Sequence, residues 1–130
     1  MTYPQIRQPA RFGLGPDDFR KQIERAIGGR VESGGALSLA VTAVTSDTTI
    51  GSDGYFFPVD ASGGAVTMTL PPAALSAGRI VAIKKTDSSG YAVTIDGNAS
   101  ETIDDATTAT ISVQYVTLEL FCDGTEWWII

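Results

Sequence analysis

Apolar and hydroxyl side chains alternate without a break in Val66-Thr-Met-Thr-Leu70. The same period of two recurs in Val93-Thr-Ile95, Thr110-Ile-Ser-Val113 and Val116-Thr-Leu-Glu-Leu-Phe121. Successive side chains of a β-strand point to opposite faces, so this pattern, rich in Val, Ile and Thr, is typical of half-buried strands. These stretches predict a mainly β fold.

Further strands and turns extend the pattern in both directions. Alternation also runs from Leu37 to Val44, Arg79-Ile-Val-Ala-Ile83 suits a strand buried on both faces, and Trp127-Trp-Ile-Ile130 closes the sequence. Gly-containing turn signals such as Ser52-Asp-Gly54, Ser62-Gly-Gly64, Ser88-Ser-Gly90, Asp96-Gly-Asn98 and Asp123-Gly124 separate the strands. About eight or nine short strands predict an antiparallel β-sandwich or barrel-like domain over residues 36–130.

The charges of the 130 residues divide the chain into two regions. Residues 1–30 carry six basic and three acidic side chains, a net +3, whereas residues 31–130 carry three basic and twelve acidic ones, a net −9. Such an asymmetry of charge indicates that the two regions have different functions. We therefore predict an N-terminal docking segment over 1–30, a Gly-rich hinge over 31–35 and the β domain after it.

The first fifteen residues predict an extended arm that precedes one short helix. Prolines and glycines interrupt any regular element there, and the segment is either a disordered tail or an arm that orders on a partner. We favour the docking arm because apolar side chains are spaced among arginines. Its candidate contacts are Tyr3, Ile6, Arg7, Arg11, Phe12 and Leu14.

A short helix over 17–27 follows the arm. Asp17 or Asp18 can cap it, and one apolar stripe contains Phe19, Ile23, Ala26 and Ile27. A helix of about 11 residues is marginal alone in water, so the stripe must be buried. The β domain, a sister subunit or a different protein could cover it, and we add Phe19, Ile23 and Ile27 to the docking residues.

Composition disfavours an enzyme. The chain has no His and a single cysteine, Cys122, which removes the commonest general base and any Cys-cluster zinc site. Oxygen ligands in Asp96-Gly-Asn98-Ala-Ser100 resemble a calcium loop, but the bidentate Glu is missing, and Glu101, Asp104 and Asp105 suit solvated turns. We predict no catalytic residue, cofactor or metal, no sequence-specific nucleic-acid binding, and no membrane span.

Aromatic side chains are the remaining candidates for contacts with other molecules. Trp127 and Trp128 are neighbours on one strand, so one ring should enter the core and the other should face outward. Lys84 and Lys85 should likewise part to opposite faces. The candidate interface or glycan contacts are Tyr55, Tyr91, Tyr115, Trp127 and Trp128.

Residues 55–130 resemble a β module of tailed-bacteriophage virion proteins, chiefly fibres, spikes and neck or collar appendages. The resemblance rests on ordered phrases, among them Phe57-Pro-Val-Asp60, Gly78-Arg-Ile-Val-Ala-Ile83, Tyr115-Val-Thr-Leu118 and Asp123-Gly-Thr-Glu-Trp127. It covers somewhat over half of the chain. It implies a non-catalytic module, often trimeric, that a short N-terminal segment anchors to the particle.

The sequence thus predicts a structural virion protein, made in the bacterial cytoplasm and built into the particle. It would be a small fibre, spike or collar subunit that forms a homo-oligomer, with a trimer favoured, and contacts the capsid, portal or tail. Two alternatives remain open. One is a carbohydrate-binding module that contacts a host surface glycan, and the other is a decoration protein that cements the capsid.

Overall fold

Eight strands and one short 3-10 turn make up residues 38–130, the part of the chain that the computed structural model describes. The strands are β1 (Thr48–Thr49), β2 (Phe56–Val59), β3 (Val66–Thr69), β4 (Ile80–Lys85), β5 (Val93–Asp96), β6 (Thr108–Ile111), β7 (Thr117–Cys122) and β8 (Trp127–Ile129), and the turn is Ala73–Leu75. The predicted mainly β fold is confirmed.

The strands form two four-stranded sheets. Sheet I has the order β1-β3-β5-β6 and sheet II has the order β2-β4-β7-β8. From β1 to β5 the chain alternates between the sheets, so β1–β3, β3–β5 and β2–β4 pair in parallel. The pairs β5–β6, β4–β7 and β7–β8 are antiparallel. The expectation of a purely antiparallel domain is therefore wrong for three of the six pairs.

Turn chemistry explains this error. Ser52-Asp-Gly54, Ser62-Gly-Gly64 and Ser88-Ser-Gly90 each carry the chain from one sheet to the other, whereas Asp96-Gly-Asn98 and Asp123-Gly124 connect neighbours within one sheet. A Gly-containing turn allows a reversal but does not determine which strand the chain meets next. Strands two apart in sequence consequently run in the same direction.

One core lies between the two sheets. Sheet I contributes Val66, Met68, Val93, Ile95 and Ile111, and sheet II contributes Phe57, Val59, Val81, Ile83, Leu120, Cys122 and Trp127. Full burial of one such large apolar side chain contributes about 1.5–3 kcal/mol. Cys122 is a small buried residue of this core, as its place in the alternation indicates.

The predicted strand near residues 37–44 is largely absent within the described range. Leu39 and Val41 are exposed, and the segment makes isolated parallel bridges from Val41 to Phe56 and from Val44 to Val59. Only Val44 enters the core. Alternation alone was insufficient there because the segment bonds only along the edge strand β2, at the pairs Val41–Phe56 and Val44–Val59. Val113 is also exposed, since β6 ends at Ile111.

Both edges of sheet II are covered by neighbouring chain. Residues 41–44 bond along β2, through Thr42 N–H to Phe56 O and Val44 N–H to Pro58 O. Along β8, Trp127 N–H donates to Thr102 O, and Asp104 Oδ1 accepts the Ile129 N–H at 3.0 Å. Covered edges do not offer a template for another strand.

The predicted N-terminal elements lie outside the described residues. They are the arm and helix of 1–30, the hinge of 31–35, and the docking residues Tyr3, Ile6, Arg7, Arg11, Phe12, Leu14, Phe19, Ile23 and Ile27. Within 38–130, no helix has the length and hydropathy that a membrane span requires.

Candidate interaction surface

The outer face of sheet II exposes large apolar side chains. Strand register aligns its residues in three rows: Phe56–Ala82–Glu119, Ile80–Phe121–Trp128 and Pro58–Lys84–Thr117. Ile130 extends the first row, because its N–H bonds Glu119 O at 2.9 Å. We call this surface the aromatic face. Trp128 is 37 % exposed and Ile130 is 66 % exposed.

The local sequence produces this face by placing apolar residues at both strand parities. Phe57, Leu120 and Trp127 point into the core, so their neighbours Phe56, Phe121 and Trp128 must point outward. An ordinary half-buried strand would carry polar side chains at these outward positions. A contiguous exposed apolar surface rimmed by polar groups typically marks an interaction site.

Hydrogen bonds hold the polar groups of the aromatic face. The Tyr55 hydroxyl donates to Glu119 Oε2 at 2.6 Å, and this bond together with burial raises the pKa of Tyr55. The Trp128 indole N–H donates to Asp123 Oδ2 at 2.9 Å. That bond, second to the backbone N–H of Glu126, lowers the pKa of Asp123. The rings are therefore held in fixed positions before any partner arrives.

The outer face of sheet I has a different chemistry. Its register aligns Thr67–Thr94–Thr110 in one row and Thr69–Asp96–Thr108 in the next. Threonine hydroxyls satisfy their hydrogen bonds with water, so this face can remain solvated. The sandwich therefore has one hydroxyl face and one aromatic face, and only the latter exposes large apolar groups on its strands.

Two further exposed tyrosines lie in turns, Tyr91 before β5 and Tyr115 before β7. Tyr91 is 52 % exposed and Tyr115 is 64 % exposed. Tyr115 has a φ of 69°, an uncommon conformation for a bulky residue, and Lys84 Nζ lies 5.7 Å from its ring centroid.

The predicted contact aromatics thus fall into three places. Tyr55 and Trp128 lie on the aromatic face, and Tyr91 and Tyr115 lie in the turns before β5 and β7. Trp127 is fully buried, so its inclusion among contact residues was wrong, although the expected opposition of Trp127 and Trp128 is confirmed. Phe56, Ile80 and Phe121 were not among the predicted contacts. The doubled apolar pairs Phe56-Phe57 and Leu120-Phe121 were the available signal.

The most polar cluster inside the domain ties two loops together. Lys85 Nζ donates to Asp87 Oδ2 at 2.8 Å, and the exposed fractions of the two side chains are 0 % and 8 %. Asp87 also accepts the N–H groups of Ala61 and Ser89. The hydrogen bond from Lys85 has the largest effect, and together with the Ser89 hydroxyl it holds the pKa of Asp87 well below its usual range.

This cluster supports a structural role. Lys85 Nζ lies 3.4 Å from Ser89 Oγ, the arrangement of a lysine-activated serine nucleophile. Lys85 Nζ is instead bonded to the Asp87 carboxylate at 2.8 Å. The Ser89 hydroxyl itself donates to Asp87. The expected separation of Lys84 and Lys85 to opposite faces is confirmed.

The carboxylates near the suspected calcium loop bond to backbone N–H groups. Glu101 Oε1 accepts a hydrogen bond from the Ala73 N–H at 3.0 Å, and Asp104 Oδ1 accepts one from the Ile129 N–H at 3.0 Å. Both therefore connect loops to neighbouring elements.

Comparison with known proteins adds no assignment. No protein-family model matches the sequence, and no curated protein matches it.

Proposed function

We propose that this chain is a non-enzymatic structural protein of a tailed-phage particle, a small fibre, spike or collar subunit. In this proposal residues 1–30 dock it to the capsid, portal or tail, and the β domain projects from the particle. The protein is made in the bacterial cytoplasm and forms a homo-oligomer in the virion, with a trimer favoured. Beside the resemblance of residues 55–130, the observation that carries the proposal is the aromatic face.

The aromatic face favours assembly because the free energy falls when another protein surface removes its exposed apolar groups from water. The domain offers it on a rigid support, since Trp128 is held by Asp123 and Tyr55 by Glu119. Such a prearranged surface loses little side-chain freedom on association.

Mass spectrometry of purified particles tests this proposal. Particles are purified from cells that carry the gene, and a matched strain encodes the chain without residues 1–30. We expect peptides of the full chain in the particles at the copy number of an appendage, and none from the truncated chain, which should still fold. Absence of the full chain from particles would refute the proposal, and a copy number equal to that of the capsid lattice would favour a decoration protein.

A carbohydrate-binding module is the second candidate, supported by the exposed side chains of Tyr91 and Tyr115. The Gln114 side chain donates to Thr86 O at 3.1 Å, and Tyr115 N–H donates to Lys85 O at 2.7 Å, so the turn that presents Tyr115 is firmly held. Replacing Tyr91 and Tyr115 by Ala should abolish glycan-array binding and host adsorption. Replacing Leu75 by Ala is the matched control.

A further inference from the structure

We propose that the aromatic face binds a second copy of this chain, so that Ile80, Phe121 and Trp128 are buried between subunits. This inference names the partner for the assembly role proposed above and rests on that role, although it does not require the phage particle. The partner surface is the same aromatic face on the second copy, and the charges of the domain support this choice.

The described domain carries a strong net negative charge. Residues 38–130 carry three basic and eleven acidic side chains, a net of −8. Two copies therefore repel each other over most orientations, and polyanions such as nucleic acid or an anionic membrane are repelled as well. The three rows of the aromatic face carry one cation, Lys84, and one carboxylate, Glu119, and Asp123, bonded to Trp128, adds a second carboxylate at the rim. The rows themselves therefore offer one charge of each sign to another copy.

Lys84 and Glu119 make the face complementary to itself. Ala82 pairs with Glu119 and Lys84 pairs with Thr117, so the two charged residues are diagonal neighbours in adjacent rows. Lys84 Nζ donates to Tyr115 O at 2.8 Å and to Thr117 Oγ1 at 3.5 Å, which leaves one of its three N–H groups. Among the described residues, Glu119 Oε1 receives no hydrogen bond. In a closed assembly each Lys84 can then meet Glu119 of a neighbouring copy.

In sheet II, the covered edges favour contact through the outer face over pairing of strand edges. Residues 41–44 cover the edge at β2, and Thr102 with Asp104 covers the edge at β8. Sheet II can then bury apolar side chains against another copy through its outer face, along the row Ile80–Phe121–Trp128. Buried interface cores are typically apolar, aromatic and poor in charge, as this row is.

Light scattering of the full chain over a dilution series tests the inference. We expect a mass that is two or three times the 13.7 kDa of one chain. Lys84→Glu and Glu119→Lys should each raise the dissociation constant at least about tenfold, equivalent to about 1.4 kcal/mol. The combined K84E/E119K protein should return towards the wild-type constant, because the reversed charges again face opposite charges.

An apolar pair of variants separates loss of association from loss of folding. Ile80→Arg places a charge on the aromatic face and should give the mass of one chain, with an unchanged circular dichroism spectrum. Leu75→Arg is the matched control, because Leu75 is 84 % exposed and lies outside the sheets. Its mass should equal that of the wild-type protein.

Several results would overturn the inference. They are a wild-type mass of one chain at every concentration, charge reversals that leave dissociation unchanged, or equal effects of Ile80→Arg and Leu75→Arg. Failure here is distinct from failure of the proposed function. A chain that is monomeric in solution but present in particles would refute only the contact between copies, and an oligomer absent from particles would refute only the virion role.

Discussion

Replacement of Lys85 by Met removes the cation that compensates Asp87 inside the domain. The Lys85 side chain is 0 % exposed, and its Nζ lies 2.8 Å from Asp87 Oδ2. Removing one partner of a buried ion pair costs about 3–5 kcal/mol, because the remaining charge loses its compensation. Asp87 keeps the N–H donors of Ala61 and Ser89, so we expect the lower end, about 3 kcal/mol.

Urea unfolding followed by tryptophan fluorescence measures this cost. The midpoint should fall while the slope of free energy against urea stays constant, since the surface exposed on unfolding changes little. For a unit of this size the expected loss lowers Tm by about 12–24 °C. The control is K85M/D87N, in which an uncharged Asn replaces the uncompensated carboxylate. This double variant should be more stable than K85M.

The pH dependence gives a second readout of the same pair. The folded pKa of Asp87 lies below its unfolded value of about 3.9, so its stabilising contribution is complete above that pH and is lost as pH falls towards the folded pKa. The hydrogen bond from Lys85 is the largest cause of the lowered Asp87 pKa, so K85M should flatten the acid limb of the stability curve. A cost below about 1 kcal/mol at an unchanged slope, or a double variant no more stable than K85M, would refute the reasoning.

Three further perturbations test other parts of the domain. Arg79→Lys should speed proteolysis within 51–54, because the Arg79 guanidinium bonds the carbonyls of Gly51, Asp53 and Gly54 at 2.6–2.9 Å and an ammonium cannot span all three; unchanged cleavage would contradict this. Gly97→Ala should destabilise by about 1–3 kcal/mol in urea, since its Cβ would clash with the main-chain carbonyl oxygen of Glu101, whereas Gly63→Ala meets nothing within 4 Å and should be nearly neutral. Burial raises the pKa of Cys122, so a thiol reagent should label it only as the domain unfolds, and rapid labelling of native protein would argue against this core position.

Much of the strand content could be predicted from local pattern. The stretches around Val66–Thr69, Val93–Asp96 and Thr117–Cys122 are strands with the expected inward residues. A period of two requires only that one side of the strand meets a core, so it can be recognised without knowing the neighbours. The same logic correctly separated Trp127 from Trp128.

The candidate surface was only partly predictable. Trp128 and Tyr55 were among the expected contacts, but their neighbours Phe121 and Ile80 were not, because an apolar residue in a strand could equally face a second layer. The strand register decided which face these residues occupy, since it aligned Phe121 between Ile80 and Trp128 on the outer side of sheet II. The docking segment 1–30 and its residues remain predictions.

The sequence by itself determined most of the strand positions, which side chains of each strand share a face, and that β structure predominates. These properties depend on intervals of one or two residues, over which backbone geometry is nearly fixed. Only the tertiary structure decided that strands alternate between two sheets and pair in parallel, that Lys85 finds Asp87, and that one outer face is aromatic while the other carries threonine. Those outcomes depend on contacts between residues distant in the sequence, whose free energies belong to the assembled core and not to any single stretch of chain.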